Sequence, residues 1–200
     1  MFPKEIKTII KNLDIKSYDD FHVSGDMVYN VGDKYILKTS NQVERLEKEY
    51  NKDLWIEKYI ISAKPILFIK ENNTAFYLRE YIKGDNLCDY KYLSNPDLLI
   101  ELLVEASNIF NTALIPLEDK LAGKRLVHGD FCLPNILVLD NKVVGFIDLG
   151  DADISDPWID YAWMIWSFEY NLGTNKHTPK LLEKLGIAFD EEKYNKYING

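Results

Sequence analysis

The spacing of apolar positions changes along this chain, and the changes mark out its elements. Residues 3–13 set Ile and Leu among Lys and Glu at helical spacing, which predicts a short amphipathic opening helix. Short β-rich runs follow. Residues 21–26 read as a strand entering a turn and 27–31 as its return. Tyr35-Ile36-Leu37-Lys38-Thr39 reads as a third strand after the Gly32-Asp33-Lys34 turn. Residues 41–61 are charged and free of Gly and Pro, and fit a helix with Leu46, Tyr50, Leu54 and Tyr59 along one stripe. Two apolar runs, 65–69 and 75–82, flank Glu71-Asn72-Asn73 as a hairpin, and Lys83-Gly84-Asp85 closes this sheet-rich part.

Beyond residue 84 the period is mainly helical. Residues 96–111 repeat Leu, Ile, Val and Phe at helical spacing behind a cap at Ser94 or Asn95. Asp156-Pro157 opens a second helix running through Tyr170, with Pro157 in its first turn. Two shorter helices, 178–185 and 190–199, finish the sequence. The expectation is an α+β chain with a small antiparallel-sheet lobe over 1–83 and a mainly helical lobe over 84–200.

Between those helices lies the most specific chemistry. In His128-Gly129-Asp130-Phe131-Cys132-Leu133-Pro134-Asn135, four residues separate Asp130 from Asn135. That is the spacing of a catalytic loop in which an aspartate receives a hydroxyl proton and an asparagine holds a magnesium ion. Asp148 follows the apolar run 143–147 and precedes Leu149-Gly150, a position from which a second metal ligand can act. These segments, with Asp156-Pro157-Trp158-Ile159-Asp160-Tyr161-Ala162, resemble in order and spacing the aminoglycoside phosphotransferases, small-molecule kinases related to protein kinases.

The resemblance implies a two-lobe, protein-kinase-like fold and Mg-ATP-dependent phosphorylation of a small-molecule hydroxyl, with GTP in place of ATP left open. It implies Lys38 as the lysine that reaches the nucleotide phosphates and Glu49, ahead of Leu54-Trp55, as its anion. Ser24-Gly25-Asp26 would be the turn over the phosphates, through backbone amides. The Glu80 carbonyl and the Ile82 amide would be the adenine contacts. Asp130 becomes the catalytic base, Asn135 and Asp148 the ligands of Mg²⁺, and His128 and Asp160 structural supports of the loop. Oxygen ligands suit Mg²⁺, and no thiolate and imidazole set for zinc is present.

The chain also departs from the family. Only about sixteen residues separate Asn111 from His128, where family members carry a longer helical insertion beside the substrate, so this is a reduced version. That leaves the acceptor open: an aminoglycoside, another small alcohol such as an amino sugar, a choline-like compound or a nucleoside. A non-catalytic nucleotide-binding module is the rival reading.

Composition narrows the partners. A net charge of -8 argues against nonspecific nucleic-acid binding and favours a cationic substrate, for which Asp151, Asp153 and Asp156, and more weakly Glu191 and Glu192, are candidates. Cys88 and Cys132 show no redox or metal spacing, and no signal peptide or membrane span is expected, so a reducing cytoplasm is the default. Trp158, Trp163 and Trp166 are expected in the core, and the sequence is silent on oligomeric state.

Overall fold

The computed structural model describes residues 2–18 and 26–199, and the chain divides into two compact units: 1–58 with 62–83, and 59–61 with 84–200. The first unit runs α1 (Lys4–Ile9), β1 (Ile15–Tyr18), β2 (Met27–Val31), β3 (Tyr35–Ser40), α2 (Val43–Ile56), β4 (Pro65–Glu71) and β5 (Thr74–Glu80). Its strands make an antiparallel sheet in the order β1-β2-β3-β5-β4. The strand expected over 21–26 lies, except for Asp26, outside the described residues. The partner of β2 on that side is β1, with Ile15 opposite Val31, a pairing the short Ile15-Lys16-Ser17-Tyr18 run did not announce.

The β2–β3 turn forms where expected. Gly32 and Asp33 both take left-handed backbone (φ 62° and 51°), and the Asn30 side chain exchanges hydrogen bonds with Asp33. Side-chain alternation then sorts the sheet into two faces. Leu37, Phe76 and Leu78 pack with Ile6 and Ile10 from the α1 side, whereas Ala75 and Tyr77 pack with Leu46 of α2. Lys38 follows Leu37 and stands opposite Tyr77 in register, so it points to the α2 face. The sequence stripe on α2 needs correcting. Its buried positions are Leu46, Glu49, Asp53 and Ile56, while Tyr50 and Leu54 are only half-buried and the helix ends before Tyr59. Two carboxylates therefore face the sheet.

The second unit contains β6 (Asp85–Asn86), α3 (Tyr90–Leu93), α4 (Pro96–Asn111), α5 (Leu117–Leu121), β7 (Arg125–Val127), β8 (Ile136–Leu139), β9 (Lys142–Phe146), β10 (Asp153–Ser155), α6 (Trp158–Leu172), α7 (Thr178–Leu185) and α8 (Glu191–Asn199). Asn95 caps α4 by accepting from the Leu98 amide at 3.3 Å, and Pro96 occupies its first turn. Strands β6, β8 and β9 form one small sheet, and β7 pairs with β10. Phe110, at the end of α4, packs edge-to-face on Phe131 and Phe146, with ring centroids 5.4 and 4.8 Å away. This anchors the loop before β8 and the end of β9 to the same helix. Only α5 and β7 occupy the stretch between α4 and His128, where Leu117 and Leu121 remain exposed. No helix among the described residues is long and apolar enough to cross a membrane.

Candidate active site

The loop from His128 to Asn135 is held from three sides. Asp160, in the first turn of α6, is buried and accepts hydrogen bonds from the His128 amide (2.9 and 3.0 Å) and the Gly129 amide (3.0 Å). Burial pushes its carboxyl up to about 7, against the two amides that hold it down and with the negative Asp130 adding to the rise. The His128 ring is fully buried. Its Nε2 lies 3.0 Å from the Ile147 carbonyl, and its Nδ1 accepts the Asp130 amide at 3.3 Å. One neutral tautomer, protonated on Nε2, satisfies both contacts, and burial holds the imidazole below its usual range.

The third support is a 3-10 turn, Leu133–Asn135, which ends at Asn135. The Asn135 amide group donates to both the Asp130 carbonyl and the Asp130 carboxylate, each at 2.9 Å. With Nδ2 committed to Asp130, the amide oxygen is the atom left to meet a cation. The Asn135 carbonyl accepts from the Ile147 amide at 3.1 Å. Asp148 follows directly, in left-handed backbone (φ 59°), and its charge acts on the His128 imidazole. Loop and strand end are thus cross-tied through Ile147, whose amide donates to Asn135 and whose carbonyl meets His128, directly before Asp148. The donors offered are oxygens. Among the described residues no three His, Cys, Asp or Glu gather into a metal-binding group.

Gly129 also has a steric role. It sits at φ 87°, and a Cβ there would lie 2.4 Å from the Asp151 carbonyl oxygen. The missing side chain lets the Asp151 backbone close over the loop. Asp130 and Asp151 then line a cleft of about 530 Å³ together with Trp163, Trp166 and Tyr170 of α6. Two expectations change here. Trp163 and Trp166 are half-exposed wall residues and not core, although Trp158 is buried. Of the acidic candidates only Asp151 reaches this cleft. Asp156 is engaged by Lys193, Tyr197 and the Trp158 amide, Asp153 sits on the exposed end of β10, and Glu191 and Glu192 open α8.

In the first unit, Lys38 Nζ is 2.7 Å from Glu49 Oε1, and both side chains are buried. The other candidates on α2, Glu44 and Glu47, lie outside this pair; Glu44 is exposed and Glu47 pairs with Lys70 at 2.5 Å. Three residues missed in the sequence complete the cluster. Arg79 bridges Glu49 and Asp53 at 3.6 Å each, and Tyr77 donates to Asp53 at 2.5 Å. The inward i, i+4 pair Glu49 and Asp53 was the available signal. Burial pushes Asp53 up to about 6, with Arg79 and the Tyr77 hydroxyl opposing. Asp26 pairs with Arg45, whereas Ser24 lies outside the described residues. Glu80 ends β5 opposite Tyr35, and Ile82 follows two residues later.

Comparison with known proteins agrees with this arrangement. The model of the phosphotransferase enzyme family matches residues 61–195, and the chain belongs to that family. A "Probable aminoglycoside 3'-phosphotransferase" of Lactococcus lactis subsp. lactis is 27% identical, over 92% of this chain and 88% of that protein. Its alignment runs to 233 positions against 200 residues here, so the relative carries segments that this chain lacks. An aminoglycoside 3'-phosphotransferase of Niallia circulans is 38% identical over 85 residues, 41% of this chain and 32% of that protein. Among solved structures, aminoglycoside phosphotransferase APH(3'')-Id from Streptomyces rimosus, in complex with ADP and streptomycin, superposes with a TM-score of 0.76 at 17% identity, covering 96% of this chain and 93% of that one. The fold is the α+β kinase-like fold, and the chain is a small-molecule kinase of reduced length.

Two outcomes follow from this geometry. Gly129→Ala must move the Asp151 backbone and place an alanine at positive φ, so denaturant unfolding should report a loss of at least about 2 kcal/mol. Asp53 is protonated at about 6 in the folded state and at 3.8 when unfolded, so the folded state holds the extra proton between those values. Its contribution is complete below pH 4 and is lost as pH rises to 6, with a slope of at most about 1.4 kcal/mol per pH unit. Denaturation at several pH values should show a flatter profile across this window for Asp53→Asn than for the wild type.

Proposed function

We propose that this chain transfers the γ-phosphoryl group of Mg-ATP to a hydroxyl of an aminoglycoside. The observation that carries this reading is the placement of Asp130. Its carboxylate is fixed by the Asn135 amide at 2.9 Å and lines an acidic cleft large enough for a sugar ring. The names of the curated relatives supply the substrate class.

In this reading residues 1–83 hold the nucleotide and residues 84–200 hold the catalytic loop and the acceptor. Glu49 keeps the Lys38 ammonium in place for the phosphates, and Arg79 with Asp53 steadies Glu49. The Glu80 carbonyl and Ile82 amide receive the base. The Asn135 amide oxygen and the Asp148 carboxylate would hold Mg²⁺, which neutralises phosphate charge when bound. Asp130 orients the acceptor hydroxyl and takes its proton as the new P–O bond forms and the bond to the β-phosphate oxygen breaks.

Neutral His128 donates to the Ile147 carbonyl and accepts from the Asp130 amide, so its work is structural. The cleft favours a cationic acceptor, because the described residues that line it include Asp130 and Asp151 and no Lys or Arg.

Asp130→Ala should lower kcat for phosphate transfer to kanamycin by about 10²–10⁴-fold, with the dissociation constant of Mg-ATP changed less than about threefold. A steady-state assay paired with nucleotide titration measures both. Full activity in the variant would remove Asp130 from its role. Mg-ATP binding without transfer to any acceptor by the wild type would favour the non-catalytic module.

A further inference from the structure

The cluster around Lys38 holds one carboxylate more than the anchoring of a lysine needs. Glu49 Oε1 is met by Lys38 Nζ at 2.7 Å and by Arg79 Nη1 at 3.6 Å, so two cations share one oxygen. The same Arg79 nitrogen lies 3.6 Å from Asp53 Oδ2, which also accepts from the Tyr77 hydroxyl at 2.5 Å. Asp53 Oδ1 is buried with no hydrogen-bond partner among the described residues. All these side chains are buried, so little water screens them from one another. Lys38 and Arg79 balance Glu49 and Asp53 only when all four carry their charges.

We propose that Arg79 is a positioning residue for the nucleotide lysine: it holds the charge of Asp53, so that Glu49 alone sets where Lys38 points. The inference rests on the reading of residues 1–83 as the nucleotide-binding unit and adds to it the residue that keeps the phosphate-binding lysine in place. Without Arg79, Lys38 would face two carboxylates one helical turn apart on α2. Asp53 already acts on Lys38 through its charge, and its Oδ1 still has acceptor capacity. The ammonium would be drawn towards the next turn of α2, and one uncompensated negative charge would stand near the phosphates. Both effects oppose phosphate binding and leave the main-chain contacts to the base untouched.

The same arithmetic gives the defect a pH dependence. The groups that face Asp53 are Glu49 on its own helix, Tyr77 and Arg79 from β5 and Lys38 from β3. On β4, Lys70 is turned to Glu47 instead. Burial already raises Asp53 to about 6, and Arg79 is the largest influence holding it down. Loss of Arg79 therefore moves its ionisation higher still. Below that point Asp53 is neutral and Lys38 keeps a single anion. Above it the surplus charge appears.

The test is calorimetric titration of the full chain with Mg²⁺ and a non-hydrolysable ATP analogue, and separately with adenosine, which has no phosphates. At about pH 8.5, Arg79→Met should weaken the analogue about tenfold and change adenosine binding less than about threefold. Arg79→Lys, which keeps the charge, and the double variant Arg79→Met with Asp53→Asn, which removes the surplus carboxylate, should each return to within about threefold of the wild type. At about pH 6 the defect of Arg79→Met should shrink to less than about threefold. Equal weakening of analogue and adenosine would mark Arg79 as a structural tie only and overturn the proposal. Unchanged analogue affinity, or a folded double variant no better than Arg79→Met, would overturn it too. Should Arg79→Met alone fail to fold, recovery of folding and analogue binding in the double variant supports the proposal, and a folded double variant that does not bind contradicts it. A wild type that binds neither ligand would sink the nucleotide-binding reading and this inference with it. Phosphate transfer by the wild type, with no rescue by Asp53→Asn, would sink the inference alone.

Discussion

One buried carboxylate organises the second unit. Asp160 takes up the amides of His128 and Gly129 from the start of α6, at a depth where an unpartnered charge would be costly. Those bonds fix the backbone two residues before Asp130. The neutral His128 ring then passes the constraint on, tying the Asp130 amide to the Ile147 carbonyl and so to the residue before Asp148. Asn135 closes the circuit from the other end. Asp160, His128 and Ile147, which have no direct part in the transfer, thus fix the backbone around Asp130 and just before Asp148.

The first unit solves a similar problem differently. Lys38 is forced onto the α2 face by strand alternation, and α2 meets it with two inward carboxylates. A lysine buried alone would lose its proton or its place. Glu49 supplies the counter-charge, and Arg79 with Tyr77 satisfies the second carboxylate, Asp53. Removing one partner from such a cluster strands the others, which is why a buried ionic group of this kind reads as functional more readily than as stabilising.

What could be read in the residues, and what could not, follows from the range of the interactions. The β2–β3 and β4–β5 hairpins, α4 with its Asn95 cap and the two closing helices rest on local signals: turn residues, caps and periodicity. The spacing of Asp130, Asn135 and Asp148 was equally legible, because the loop and its hairpin are close in sequence. Glu49 is legible as the partner of Lys38, but Asp53 looks like a solvent residue until Arg79 and Tyr77 meet it from the sheet, so the inward face of α2 is only half readable. Trp163 and Trp166 were assigned to the core by their size. Only the long-range meeting of Asp130 and Asp151 with them around one cleft reveals a wall. Strand β1 was lost because four residues carry too little pattern.

The account stands on Asp130 being held, by partners other than the substrate, where an alcohol can meet it. A crystal structure of the protein with Mg²⁺, a non-hydrolysable ATP analogue and kanamycin tests this most directly. One kanamycin hydroxyl should lie within about 3 Å of an Asp130 carboxylate oxygen, with the Asn135 amide still donating to that side chain. A ligand hydroxyl directed at the γ-phosphate from elsewhere, with Asp130 turned away from it, would contradict the account.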